Sequence, residues 1–152
     1  SFSGASKRLE KIAENSSTVI FKDFAHSPSK VAATTNAVKE QYAERTVLAC
    51  LELHTYSSLN AEFLAEYIGA LDSADRAVVF YSPHAVKIKQ LDEVTEQQIA
   101  EAFKRDDLII YTNPQEFKTF LFNQNLEKTA LLLMSSGNYG GLNFEEVKGL
   151  LS

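Results

Sequence analysis

The sequence predicts an α/β domain of three layers, in which helices cover both faces of a mainly parallel sheet that has an antiparallel hairpin strand at one edge. Short apolar runs alternate with polar tips and then with stretches of helical spacing, which is the pattern of βαβ units. Hydrophobic residues make up 45% of the 152 residues, enough to bury the core of one domain.

The chain opens with a predicted hairpin. Residues 8–14 roughly alternate polar and apolar side chains, residues 15–17 are turn formers, and residues 18–24 continue as an apolar strand. A helix should follow, because Pro28 suits the first helical position and Ser27 suits the N-cap before it. Its buried face is expected to hold Val31, Thr35, Val38 and Tyr42.

The middle of the chain repeats this unit of strand and helix. Residues 46–53 form a nearly continuous apolar run, as in a central parallel strand, and residues 77–81 form another. A helix is predicted from about Asn60, and its expected buried stripe is Phe63, Leu64, Tyr67, Ile68 and Leu71. The next helix follows a capping box at residues 95–98, with an apolar face of Ile99, Ala102 and Phe103.

The last third predicts two more strands, at residues 108–111 and 129–134. Between them Asn113 is the expected N-cap, and Pro114 begins a helix that buries Phe117, Phe120 and Leu121. A final helix is predicted to start near Asn143 and to bury Val147, Leu150 and Leu151.

Composition and charge argue against several classes of function. A net charge of −5 does not suit a protein that binds nucleic acid independently of sequence, which needs a basic face. No apolar run approaches the ~20 residues of a membrane span. Cys50 is the one cysteine, so an internal disulfide or a Cys-based zinc site is excluded, and we expect a core residue in a cytoplasmic protein.

Polar side chains follow most of the predicted strands. Because the carboxyl ends of parallel strands share one edge, where ligands bind in open α/β sheets, we expect at least two of these tips to share a ligand. The alternative for each tip is a solvated loop or a helix cap, and His84, which has no evident partner, suits that alternative. The tips hold Asp23 and His26, Glu52 and His54, Ser82 and His84, and Ser135, Ser136 and Asn138.

The loop at residues 135–141 is rich in glycine and lies between a predicted strand and a helix. Backbone N–H groups in such a loop can hold a carboxylate or a phosphate. The sequence contains no dinucleotide fingerprint, no P-loop, no nucleophile elbow and no H-E-x-x-H zinc motif. The residues alone therefore show no complete catalytic machine.

Four stretches resemble the C-terminal domain of the Mur ligase family, and the resemblance covers the whole chain. The D-F-A-H-S-P sequence of residues 23–28 is similar to the family's D-[YF]-[AG]-H-x-P motif, and the M-S-S-G-N-Y-G-G sequence of residues 134–141 is similar to M-S-N-G-x-F-G-G. Residues 4–10 resemble the segment that leads into this domain, and residues 53–57 align with a His-Arg-aromatic segment. The resemblance implies one Rossmann-like domain over residues 1–152, with residues 1–16 as leading segment and edge strand.

The resemblance also implies an activity. Mur ligases are ATP-dependent enzymes of peptidoglycan synthesis with a UDP-sugar domain, a central P-loop domain and this C-terminal domain, which closes over the central one and holds the amino substrate. The enzyme phosphorylates the muramate carboxylate, and an amine attacks the acyl phosphate. ATP and Mg²⁺ would then belong to the full-length enzyme, which is expected to be a monomer. This domain alone is expected to hold no cofactor and to be inactive, and the missing P-loop and starting Met suggest a piece of a longer chain.

By the same resemblance, two residues would face ATP, two would line the cleft near the reacting groups, and three would contact the incoming amino substrate. In that order they are Arg8 and Asp23, His26 and His54, and Ser135, Ser136 and Asn138. Their expected contribution is orientation and charge stabilisation, without a catalytic nucleophile.

Two positions at which this sequence departs from the pattern of the alanine-adding ligases bear on the amino substrate. Thr55 and Ser58 stand where alanine-adding ligases carry arginines suited to a bidentate grip on a carboxylate. With the closing loop, this favours the recycling branch, the murein peptide ligases, which join UDP-N-acetylmuramate to L-alanyl-γ-D-glutamyl-meso-diaminopimelate. The alternatives are a UDP-N-acetylmuramate–L-alanine ligase and a stand-alone α/β binding module.

Overall fold

The computed structural model describes residues 9–53, 64–82 and 96–151. The strands are β1 Leu9–Glu14, β2 Val19–Asp23, β3 Thr46–Glu52, β4 Arg76–Phe80, β5 Ile109–Tyr111 and β6 Thr129–Met134. The α-helices are α1 Pro28–Gln41, α2 Glu96–Phe103, α3 Pro114–Phe122 and α4 Phe144–Lys148, with 3-10 helices at Ala65–Tyr67 and Gly149–Leu151.

The strands form one sheet in the order β1-β2-β6-β3-β4-β5. The hairpin strand β1 lies antiparallel at the edge, and all other neighbours pair in parallel. This confirms the predicted fold class, a Rossmann-like α/β domain with one antiparallel edge strand. The position of β6, between β2 and β3, could not be read from the order of the strands in the chain.

The apolar strands are continuous in sequence because both faces of the sheet are covered. Alternate residues of β3 contribute to opposite cores: Ala49 to the core under α1 and α2, and Cys50 to the core under α3 and α4. Cys50 is fully buried, as predicted. The three layers are therefore two helical layers with the sheet between them.

The right-handed rule for crossover connections explains why helices cover both faces of the sheet. The chain moves from β2 through β3 and β4 to β5 with its helices on one face, and it returns from β5 to β6 through α3 on the other. A constant hand of crossover requires this change of face when the direction of travel reverses. Among the described residues, every helix is too short or too polar to cross a lipid bilayer.

Helix ends follow the sequence signals with one exception. Asn113 and Asn143 cap α3 and α4, each accepting hydrogen bonds from backbone N–H groups of the first turn. Pro28 occupies the first turn of α1, and Ser27 is its N-cap residue, but the Ser27 side chain makes no capping hydrogen bond. Ser27 is therefore the predicted N-cap residue, and the exception is only that its side chain makes no bond to the helix backbone.

The segment before β4 also differs from the prediction. The described part of the expected helix is the 3-10 helix Ala65–Tyr67, followed by a turn in which Gly69 has φ +76°. Leu64, Tyr67 and Leu71 are buried as predicted, whereas Ile68 is 55% exposed because it falls in that turn. The predicted start at Asn60, Phe63 and the capping box at Thr95 lie outside the described residues.

Candidate functional site

The ends of the central strands lie side by side. In the ladder, Asp23 of β2 and Leu51 of β3 both pair with Met134 of β6, and Glu52 pairs with Phe80 of β4. The predicted convergence of these tips on one edge is therefore present. After β2 the chain enters α1 on one face of the sheet, whereas after β6 it enters α4 on the other. Diverging connections of this kind open the crevice where open α/β sheets bind ligands.

Asp23 ends β2 and is buried, with 3% of its surface exposed. Its Oδ2 accepts hydrogen bonds from the Ala25 backbone N–H at 3.0 Å and from the Thr34 hydroxyl at 3.1 Å. Its Oδ1 is also buried and has no hydrogen-bond partner within the described residues. Since an unpaired buried acceptor is costly, often about 1–3 kcal/mol, this oxygen suits a donor brought by another molecule or domain.

His26 is held on two sides at the start of the same connection. Its Nδ1 lies 3.0 Å from the backbone oxygen of Phe24, and its own backbone oxygen accepts the hydroxyl of Tyr67. A carbonyl oxygen only accepts, so Nδ1 carries the proton in this contact. In the neutral ring Nε2 is then the acceptor, which can receive a proton or a hydrogen bond from a ligand.

Glu52 links β3 to the loop that follows β6. It is buried with 3% exposure, and its Oε1 accepts hydrogen bonds from the Ser135 hydroxyl at 2.5 Å and from the Tyr139 backbone N–H at 2.8 Å. The Ser135 hydroxyl also accepts the Gly137 backbone N–H at 2.7 Å. Residues 135 and 139 of the loop are therefore attached to one carboxylate on the neighbouring strand.

Tyr139 anchors the same loop from inside the core. Its ring is buried and stacks on Phe117 at 4.8 Å between centroids. Its hydroxyl donates toward the backbone oxygens of Cys50 and Met134, each at 2.8 Å. Burial, with added repulsion from nearby acidic groups, raises the pKa of Tyr139 well above its usual value, so the hydroxyl keeps its proton.

The glycine-rich loop uses several of its N–H groups internally. Those of Gly137 and Tyr139 are bonded as described, and that of Gly141 donates to the backbone and side-chain oxygens of Asn138. These three donors are therefore not directed to an anion. The loop offers side chains as well: Asn138 is exposed, and the Ser136 Oγ is buried without a hydrogen-bond partner in the described part of the chain.

The predicted site residues divide into those that are described and those that are not. Asp23 and His26 lie on one connection at this edge, and Ser135, Ser136 and Asn138 lie on the next. Ser82 follows β4 at the same edge and is half-buried. Arg8, His54 and His84 lie outside the described residues. Residues 9–53, 64–82 and 96–151 contain no group of three or more His, Cys, Asp and Glu side chains that could hold a metal ion.

Two contributions were missed by sequence reasoning. Glu52 was recognised as a strand tip, but its attachment to residues 135 and 139 was not, although a carboxylate that ends a fully apolar strand is an unusual buried group. Thr34 was missed too, since a threonine on a helix carries no sequence signal for bonding Asp23.

Comparisons with known proteins agree with one another at the level of the family. The model of the family described as "Mur ligase, glutamate ligase domain" matches residues 7–137. A UDP-N-acetylmuramate–L-alanine ligase of Caldicellulosiruptor bescii is 34% identical over 98 residues, which are 64% of this chain and 21% of that protein. One of Gloeothece citriformis is 32% identical over 145 residues, which are 90% of this chain and 28% of that protein.

A solved structure shows the same fold. The murein peptide ligase of Psychrobacter arcticus matches with a TM-score of 0.72 and 18% sequence identity, over 94% of this chain and 29% of that one. The chain thus spans between about a fifth and three tenths of the length of these relatives, 21% in one and 29% in another.

Proposed function

Because the chain belongs to the Mur ligase, glutamate ligase domain family, we propose that it is the C-terminal domain of an ATP-dependent ligase that joins an amino substrate to UDP-N-acetylmuramate. The domain, residues 1–152, works with a UDP-sugar domain and a central P-loop domain of the same enzyme. It receives the amino substrate and closes over the nucleotide.

The unpaired oxygens at the crevice carry this proposal. Asp23 Oδ1 and Ser136 Oγ are both buried without hydrogen-bond partners among the described residues, and they lie on the two connections that diverge around β6. An isolated domain tolerates few such groups, and a site that is completed by a nucleotide, an amine or a second domain supplies the missing partners.

The predicted site residues, of which Arg8 and His54 lie outside the described part of the chain, have separate roles in this proposal. Asp23, with Arg8, faces ATP, because a carboxylate oxygen accepts hydrogen bonds from ribose hydroxyls. His26, with His54, lines the cleft, and the Nε2 acceptor of His26 suits the protons of an incoming ammonium group. Ser136 and Asn138 contact the amino substrate, whereas the Ser135 hydroxyl is engaged by Glu52 and orders the loop.

This domain contributes to catalysis by positioning the amine. ATP, bound with Mg²⁺ mainly by the central domain, supplies the phosphoryl group that activates the muramate carboxylate. The residues of this chain hold the amine against the activated carbon and exclude water that would hydrolyse it. Loss of one such contact costs rate through orientation and leaves the chemistry of activation intact.

We propose the murein peptide as the amino substrate. Residues 134–141 resemble the closing loop of murein peptide ligases, and Thr55 and Ser58 replace the arginines that would grip the carboxylate of a free amino acid. The second candidate is L-alanine, because curated relatives at 34% and 32% identity are named UDP-N-acetylmuramate–L-alanine ligases. Both candidates share the UDP-sugar and differ only in the amine.

The test uses the full-length enzyme with ATP, Mg²⁺ and UDP-N-acetylmuramate. L-Alanine and L-alanyl-γ-D-glutamyl-meso-diaminopimelate are supplied in separate reactions, and phosphate release and product mass are measured. Turnover with the tripeptide alone supports the recycling enzyme, and turnover with L-alanine alone assigns the second candidate. No turnover with either overturns the ligase proposal and favours a stand-alone binding module.

A matched pair of variants tests the role of the loop. Asn138 and Asn125 are exposed asparagines whose side-chain oxygens accept backbone N–H groups at 3.1 Å and 3.0 Å, at opposite ends of β6. Asn138→Ala is expected to raise the KM for the amino substrate about tenfold, a loss of about 1.4 kcal/mol. Asn125→Ala should leave that KM unchanged. Equal effects of the two variants would contradict a substrate contact at Asn138.

A further inference from the structure

Glu52 is a buried carboxylate that the proposed reaction leaves without a role. We propose that Glu52 is the positioning residue of the loop at residues 135–141, and that it sets the affinity for the amino substrate by fixing where Ser136 and Asn138 stand. This inference rests on the proposed function, because it takes those two side chains as substrate contacts.

The loop at residues 135–141 is attached to both strands that flank β6. Glu52 is the last residue of β3, next to β6 in the sheet, and its Oε1 accepts hydrogen bonds from the Ser135 hydroxyl and the Tyr139 N–H. The Ser135 backbone N–H donates to the Asp23 backbone oxygen at 3.0 Å, which continues the β2–β6 ladder by one residue. The loop is therefore held from both neighbouring strands at the point where β6 ends.

The two proposed contact residues lie between the attached residues of the loop. The Ser135 hydroxyl donates to Glu52 and accepts from Gly137, so residues 135, 137 and 139 join one network that ends on a single oxygen. Ser136 and Asn138 are the residues between those fixed points. Their backbone positions are then determined by the network, and a shift of about 1 Å at such positions is enough to impair catalysis strongly.

The loop conformation includes a strained residue that needs stabilising contacts. Tyr139 has φ +55°, a left-handed backbone that is unfavourable for a residue with a side chain. In this conformation its N–H donates to the Glu52 carboxylate, and hydrogen bonds to a charged acceptor are stronger than neutral ones. Glu52 therefore stabilises the strained turn that places the two contact residues.

A positioning role and a purely structural role predict different kinetics. If Glu52 only stabilised the fold, its loss would reduce the fraction of folded enzyme, which lowers the apparent kcat and leaves every KM unchanged. If it positions the loop, its loss raises the KM for the amino substrate and leaves the KM values for ATP and UDP-N-acetylmuramate unchanged.

The experiment compares Glu52→Ala and Glu52→Gln in the full-length enzyme, with the tripeptide or L-alanine, whichever is turned over. We expect Glu52→Ala to raise the KM for that amine by about 10- to 100-fold, with the other two KM values within about twofold. Glu52→Gln keeps an acceptor oxygen in the same place, so we expect it to retain most of the affinity. Ser135→Ala removes the same network from the loop side and replaces Glu52→Ala if that variant fails to fold.

The matched control lies at the opposite end of β6. Thr129 is also buried, with 4% exposure, and its hydroxyl donates to the Glu127 backbone oxygen at 3.1 Å. Thr129→Ala is therefore expected to reduce stability and leave the KM for the amine unchanged. Hydrogen exchange over residues 135–142, measured by mass spectrometry, provides a second readout and should accelerate in Glu52→Ala and not in Thr129→Ala.

The outcomes separate this inference from the proposed function. If Asn138→Ala raises the KM for the amine and the Glu52 and Ser135 variants do not, the positioning role is wrong and the substrate contact stands. If none of these variants changes that KM, the proposed role of the loop is wrong, and the inference falls with it. Unchanged hydrogen exchange in Glu52→Ala would also overturn the positioning role, whatever the kinetics.

Discussion

Gly140 provides a quantitative test of how tightly the loop after β6 is packed. Its φ is +74°, and a Cβ added there would lie 2.7 Å from Pro114 Cγ and 3.2 Å from Pro114 Cβ. Pro114 cannot easily move, because its rigid ring begins α3 and the preceding residue, Asn113, caps that helix. The sequence therefore requires glycine here for two separable reasons, backbone conformation and contact with the helix.

The variant Gly140→Ala should be destabilised both by its backbone conformation and by its contact with Pro114. A left-handed backbone costs alanine about 1–2 kcal/mol, and overpacking against a rigid neighbour adds about 1–3 kcal/mol. Alanine regains up to about 1 kcal/mol by restricting the unfolded chain. We expect a net loss of about 2–4 kcal/mol in the free energy of unfolding.

Gly69→Ala is the matched control. Its φ of +76° is nearly the same, but its nearest neighbour would be Asp72 Oδ2 at 3.4 Å, an ordinary contact with a flexible side chain. We expect a loss of only about 1 kcal/mol. Urea denaturation measures both variants, through shifts of the midpoint at constant slope. An equal loss in the two variants would refute the reasoning, because it would mean that Pro114 does not restrain the loop.

Three further predictions concern other parts of the molecule. Asn113→Ala should cost about 1 kcal/mol of stability, because its side chain caps α3, whereas Ser27→Ala should cost almost nothing, because Ser27 makes no capping bond. Burial raises the pKa of the Cys50 thiol to about 12, so a thiol reagent should label it only when the protein unfolds. For Asp75, burial is outweighed by the hydrogen bond and charge of Lys39, so its pKa is lowered, and the stability it provides above pH about 4 should be lost as the pH falls further.

Each of these predictions has its own contradicting result. Equal effects of the two cap variants would show that the Asn113 contacts add nothing to α3. Labelling of Cys50 at the same rate in native and unfolded protein would contradict its burial. The variant Asp75→Asn should flatten the loss of stability in acid. An unchanged loss would show that the contacts of the Asp75 carboxylate, including its partly exposed 2.8 Å pair with Lys39, add no stability.

The elements were predictable because their signals are local. The continuous apolar runs of β3 and β6 indicated strands buried on both faces, and Asn113 before Pro114 indicated the start of α3. The exposure of Ile68 was not predictable, because it depends on a turn at Gly69 that interrupts an apolar helical pattern. Ser27 shows the same limit: it suits an N-cap by type, and its side chain is not used.

The location of the site at one edge of the sheet was predictable from the sequence, but its hydrogen bonds were not. Strand tips of a parallel sheet must share an edge, so Asp23 and Ser135 could be assigned to one cleft without knowing the strand order. The bond from Ser135 to Glu52 spans 83 positions and exists only because β6 lies beside β3. No local pattern carries that information, and the residue that orders the loop was therefore invisible as such in the sequence.

Substitution of Asp23 should affect the stability of the domain and the binding of ATP differently, and both effects can be measured. In Asp23→Asn the remaining side-chain oxygen can still accept the Ala25 N–H and the Thr34 hydroxyl, and an amide replaces the unpaired Oδ1. A carboxylate with one unpaired oxygen is more costly to bury than a neutral amide, so we expect Asp23→Asn to be neutral or up to about 1 kcal/mol more stable. In the full-length enzyme the same change should raise the KM for ATP about tenfold or more, because the acceptor offered to the nucleotide is lost.

Thr34→Val provides the control for this residue, because it removes a bond to the other oxygen, Oδ2, and leaves the charge in place. It should lower stability by about 1 kcal/mol and leave the KM for ATP nearly unchanged. A residue that lowers the stability of its own domain is expected where a ligand or a second domain completes the site. If Asp23→Asn instead destabilised the protein and left the KM for ATP unchanged, Asp23 would be a structural cap of the connection to α1, and the nucleotide would have to be bound elsewhere.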